Sequence, residues 1–249
     1  MTTRFEPERL YRELSIMLKA RNHPAQILRL LHETKYYRDL FVPPRPKPTP
    51  ATYIPPTISA ENTSHVNASW FVKRLCSDWD IWSLFEQALL HIPSPSRKPS
   101  NKSTDRGLTV IKENIQGFAY AMASVMPWRN QFSNDTAART YAGAIVSQFG
   151  RVLKDWKLVD KMFANERRTT AAVGMLEARG DIRGKYGTYW ACHVLCGMMF
   201  QWCDMCQNRI EEAQLEEIWS QSRDTWKRIA EAVDEVHWRE DKKKEGTEL

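Results

Sequence analysis

Residues 189–209 read YWACHVLCGMMFQWCDMCQNR, a stretch with one acid, Asp204, and no Lys or Arg before Arg209. Its apolar residues leave no polar stripe at helical spacing, so the segment reads as a helix apolar all round, the kind that lies at a centre with other elements covering every side. The rest of the chain must supply those elements. Toward the C-terminus, Leu215, Ile218, Trp226, Ile229, Val233 and Val236 recur at three- and four-residue steps and predict an amphipathic helix, with residues 241–249 as a disordered tail.

Toward the N-terminus the segment is preceded by RGDIRGKYGTY (179–189), whose three glycines predict a loop, and by a helix over about residues 168–178 ending near Gly180. Before these, Ser133-Asn134-Asp135 caps a long predicted helix with Tyr141, Ile145, Phe149, Val152, Trp156, Val159 and Phe163 inward. A helix from near Ser103–Asp105 to Met126 carries Leu108, Ile111, Ile115, Phe118, Met122 and Val125 on one stripe, and Pro127 ends it. Another is expected over residues 70–90 with Phe71, Leu75, Trp79, Trp82, Phe85 and Leu89 inward and Asn67 or Ser69 as its N-cap. No alternating, strand-like run occurs, so the predicted fold class is all-α.

Seven prolines between positions 43 and 56 force an extended, polyproline-like connection. They separate a helical hairpin from the core: one short helix over residues 6–19 with Leu10, Leu14, Met17 and Leu18 on one face, and one over about residues 24–41 with Ile27, Leu28, Leu31, Tyr37 and Phe41. The expected organisation is an N-terminal helical arm (1–42), a proline-rich linker (43–66), a multi-helix globular core (67–240) with a basic middle segment, and the tail. An isolated amphipathic hairpin needs a surface for its apolar face, which nominates Leu10, Leu14, Leu18, Ile27, Leu31 and Phe41 for docking on a neighbouring copy.

Thirty-six Lys and Arg against thirty Asp and Glu give a net charge of +6 in 249 residues. The surplus is unevenly placed, at +3 for residues 1–96, +8 for residues 97–185 and −5 for residues 186–249. No segment is long and apolar enough to span a bilayer, and the first residues, MTTRFEPERLYREL, lack the apolar core of a secretory signal, so a soluble, cytoplasmic protein is expected. Five Cys, an odd number, do not make a disulfide framework.

Four of them, Cys192, Cys196, Cys203 and Cys206, fall within 15 residues and raise the question of zinc. On a continuous helix they share an arc of about 80° but spread over roughly 21 Å of axis, too far for one ion. They are read as buried structural thiols, with no metal or other cofactor expected. The six His show no HExxH spacing, and there is no GxSxG elbow, Walker-type loop or dinucleotide fingerprint. An enzyme is not expected.

The constellation that carries chemistry is basic. Arg97, Lys98, Lys102 and Arg106 share one loop; Lys154, Lys157, Lys161 and Arg168 follow helical spacing, with Arg167 beside them, and form a ridge if one helix runs through; Arg179, Arg183 and Lys185 lie in the next loop. Positive loops flanking a positive helix suit a groove that tracks phosphates, and Trp128, Tyr141 and Tyr186 are candidates to stack on unpaired bases. The alternative for such a charge run is a solvated helix face.

In gross plan, helical, basic, of this length and armed at one end, the chain resembles the small nucleocapsid or coat proteins of RNA viruses, which polymerise through exchanged arms. The expected function is therefore sequence-independent binding of single-stranded RNA with self-assembly through the arm. The triplet Leu10-Tyr11-Arg12 is similar to the signature of the LYR family of small mitochondrial assembly factors, a resemblance covering three residues. It implies the other reading, a helical adaptor or assembly factor that binds protein partners and no nucleic acid.

Overall fold

A computed structural model of the chain describes residues 13, 16, 24–41, 58–59, 61–79, 115–129, 162–163 and 165–245. These are 85% helical, in eight α-helices with no strand among them, so the fold is all-α. In chain order they are α1 (Pro24–Glu33), α2 (Tyr36–Leu40), α3 (Ser64–Trp79), α4 (Ile115–Val125), α5 (Glu166–Glu177), α6 (Ile182–Tyr186), α7 (Trp190–Cys206) and α8 (Glu212–Glu245). Single 3-10 turns, Met126–Trp128 and Gly187–Tyr189, follow α4 and α6.

The apolar stretch that opened the analysis is α7, and it occupies the centre, packed against α3, α4, α5, α6 and α8. Its closest neighbour is α5, because Gly197 presents no side chain there: a Cβ at that position would lie 2.7 Å from the Thr169 carbonyl oxygen and 2.8 Å from Val173. Much of the tryptophan content goes into a seam between α3, α7 and α8. Trp70 stacks on Trp202 at 5.2 Å, Trp219 meets Trp70 edge-on, and Trp226 meets Phe71 edge-on at 5.0 Å. Such rings bury large apolar areas provided their N–H groups find acceptors. Trp202 donates to the Asn67 carbonyl, Trp219 to the Asp78 carboxylate and Trp226 to Ser222 Oγ.

Several expectations are corrected. The expected helix of residues 24–41 is two, because Lys35 is left-handed at φ 64° and Thr34 turns its hydroxyl back to the Leu30 carbonyl. The break turns Tyr37 and Phe41 inward, where Tyr37 stacks on His65 at 3.7 Å and on Phe41 at 4.5 Å and donates to the Ser124 carbonyl at 2.6 Å. Residues 24–41 thus belong to the core, packed on α3 and α4, and Phe41, 1% exposed, offers nothing to another copy. Ile27 and Leu31 are half-buried, Leu31 against the same core. Leu10, Leu14 and Leu18 lie outside the described residues.

α3 starts at Ser64, inside the expected linker, with its first turn held by Asn62 and Thr63; Asn67 and Ser69 are buried mid-helix residues instead of caps. The expected loop at 179–189 contains α6 and a 3-10 turn. At the other end, α8 continues to Glu245, into the expected tail, as regular i to i+4 bonding propagates through a charged but good helix-forming sequence. No helix among the described residues is long and apolar enough to cross a membrane.

Candidate nucleic-acid interface

The described part of the basic segment lies where α5 begins and α6 ends. Asn165 is a turn residue, so α5 is a new helix and no single helix runs on to Arg168 as a ridge with Lys154, Lys157 and Lys161. Glu166, in its first turn, is an ion-pair partner of Arg129. Arg129 follows the 3-10 turn after α4, bonds both oxygens of Asp204 at 2.7 and 3.0 Å, donates to the Phe200 carbonyl and lies 4.5 Å from the Phe200 ring. Burial alone would lower the Arg129 pKa, but its hydrogen bonds to Glu166 and Asp204 raise it above the usual arginine value. The charge of Glu166 is thereby matched, while Arg167 and Arg168 remain exposed on the same turn, at the helix end whose dipole already favours anions.

α6 brings the second pair of cations to this point. After α5 ends in left-handed Arg179, Asp181 caps α6 by accepting from Gly184 N at 2.9 Å, and a Cβ on Gly184 would collide with that carboxylate. The Tyr186 hydroxyl then donates to the Arg168 carbonyl at 2.8 Å, and Arg168 Nη2 donates to the Lys185 carbonyl at 3.0 Å. The Arg168 guanidinium and the Lys185 ammonium lie 5.4 and 5.9 Å from the Tyr186 ring centre, and Arg183 lies 5.7 Å from the Trp190 ring. Beneath them, Thr169 Oγ1 donates to the Met162 carbonyl and lies 3.2 Å from His193 Nδ1, with the His193 ring 5.1 Å from Tyr186.

The structure therefore brings Arg168 and Lys185 together at the ring of one buried tyrosine, with Arg167 exposed beside Arg168 and Arg183 over Trp190. Among the described residues no carboxylate pairs with Arg167, Arg168 or Lys185. Arg179 is set apart, 3.0 Å from Glu235 on α8. Arg97, Lys98, Lys102, Arg106, Lys154, Lys157, Lys161 and Tyr141 lie outside the described residues.

The stacking candidates are corrected. Trp128 is 2% exposed and Tyr186 5%, so neither offers a face to a base; Tyr186 instead braces the cations by its hydroxyl and ring. Arg129 escaped sequence reasoning, because its partners lie 37 and 75 residues away and no periodicity marks it.

The four thiols of α7 are strung along an unbroken helix. Burial pushes the thiols of Cys196 and Cys203 well up and that of Cys206 to about 12, so they stay protonated at neutral pH. Among the described residues no three His, Cys, Asp or Glu come together as metal ligands would. Compared with known protein families, curated proteins and solved structures, the chain matches none of them.

Proposed function

We propose that the protein is a cytoplasmic, single-stranded RNA-binding assembly protein of nucleocapsid type that grips phosphates without reading sequence. The observation that carries this reading is the pair Arg168 and Lys185 at the Tyr186 ring with Arg167 beside Arg168, all three exposed and without carboxylate partners among the described residues, Arg167 and Arg168 standing on the end of α5 that itself favours anions. Surface cations kept merely for solubility would be interspersed with acids, as they are along α8. With Tyr186 and Trp128 buried, binding is carried by charge rather than by stacking, which makes it strongly salt-dependent.

The test is fluorescence anisotropy with unrelated single-stranded RNA oligomers over a range of salt, on the full chain and on Arg167→Gln/Arg168→Gln/Lys185→Gln. The expected result is one affinity for all sequences, falling steeply with salt, and a slope of log affinity on log salt shallower by about 2 in the triple variant, since each lost contact to single-stranded RNA removes about 0.7. Absence of binding, or binding indifferent to salt and to the substitutions, would overturn the reading. The adaptor reading would then stand, favoured by the exposed Leu30 and Tyr36.

A further inference from the structure

The helix that carries Arg167 and Arg168 opens on a conflict of charge. Its first residue, Glu166, is the one acid of the first turn, directly before the two arginines. The first bond of α5 runs from Thr169 N to the Asn165 carbonyl, and Asn165 supplies no side-chain cap. The N–H groups of residues 166–168 are therefore those that helix geometry leaves without a carbonyl. A free carboxylate in such a turn is itself an anion that the helix end attracts, which sets Glu166 against phosphate for the same place. Arg167 and Arg168 are poorly placed to neutralise it, because residues one and two apart on a helix do not face each other. The partner comes from outside the helix. Arg129 pairs with Glu166, and it is held there independently of that bond: Nη1 donates to the Phe200 carbonyl at 3.2 Å, both nitrogens bond Asp204, and the guanidinium lies over the Phe200 ring.

We infer that Arg129 is a positioning residue of the proposed RNA interface: by holding the Glu166 carboxylate and matching its charge, it keeps the first turn of α5 open to phosphate beside Arg167 and Arg168. The inference rests on the RNA reading and adds to it a residue that the nucleic acid does not touch. Asp204 shares the guanidinium, but its side chain is 63% exposed, against 28% for Glu166, so water screens the shared acid more than the one at the helix end. Loss of Arg129 frees both acids, yet only Glu166 stands on the turn that binds phosphate. The two acids can therefore be told apart by which one, once neutralised, restores binding.

The experiment is anisotropy with single-stranded RNA oligomers at low salt on full-length variants, with thermal melts alongside. Arg129→Met should weaken binding on the order of three- to ten-fold, an effect that shrinks as salt screens it. Arg129→Met/Glu166→Gln should restore the affinity, whereas Arg129→Met/Asp204→Asn, which changes the net charge equally, should not. A second variant leaves Arg129 in place, in case its loss prevents folding. Asn165→Asp sets an unmatched carboxylate at the cap of α5, where aspartate suits the helix, and should weaken binding by a similar factor with no fall in melting temperature. A native chain that binds no RNA would overturn the RNA reading and this inference with it. Binding by the native chain that Arg129→Met or Asn165→Asp leaves unchanged, that neither double variant restores, or that both restore alike would overturn this inference alone.

Discussion

His65 sits with its ring stacked between α2 and α3, and both ring nitrogens are buried without a hydrogen-bond partner. Desolvation, helped by the neighbouring His32, holds its pKa at about 3, and burial lowers that of His32 too, with Glu33 acting to raise it and Arg38 to lower it. The folded state therefore prefers the neutral ring, and the unfolded chain binds the proton first as pH falls below about 6.5. Stability from this group is fully present above pH 6.5 and is lost progressively toward pH 3, at up to about 1.4 kcal/mol per pH unit for one proton. Urea midpoints measured between pH 7 and pH 4 should fall, and His65→Phe, which keeps a ring against Tyr37, should flatten that fall. An equal slope in both proteins would show that the burial of His65 is not what acid disrupts. Nothing in the sequence around His65 marks it, since its isolation is made by Tyr37 arriving from α2 and His32 from α1.

Among the elements, α5 and α7 form the contact on which the basic cluster depends, since α5 carries Arg167 and Arg168 and α7 carries His193 beneath Tyr186. Their approach is set by Gly197. Gly197→Ala would press a methyl group against the Thr169 backbone, which cannot rotate away, and the helices would have to part. A loss of about 1–3 kcal/mol is expected in chemical denaturation, with RNA affinity reduced in proportion to any shift of α5. A neutral substitution would mean the interface has slack. The helical character of α7 was legible from its unbroken apolar run and that of α8 from periodicity, and the end of α5 was legible from Gly180. The break at Lys35, the start of α3 at Ser64 and the existence of α6 were not, because each depends on one or two side-chain bonds or a single left-handed residue in a segment whose propensities are otherwise ambiguous.

At the scale of the whole molecule, the hairpin of α1 and α2 is a structural part of the core rather than a detachable arm. Phe41 and Tyr37 are buried, and α1 packs on α3 and α4. Removing residues 1–41 should therefore uncover apolar surface and abolish a cooperative melt, in contrast to the folded monomer that a free arm would leave behind. A truncated chain that melts as cooperatively as the full one would restore the arm to an accessory role.

By itself the sequence determined the all-α class, the central place of residues 190–206 and the gathering of positive charge in the middle third, because hydrophobic periodicity and composition are local quantities and helices obey them residue by residue. What only the tertiary structure decided was which side chains are left at the surface. The sequence nominates Phe41, Trp128 and Tyr186 for a surface and passes over Leu30 and Tyr36, while the packing of α2, of the 3-10 turn after α4 and of α6 hides the first three and leaves the other two exposed. Exposure belongs to neighbours tens of residues away, and no spacing rule within one helix can report it.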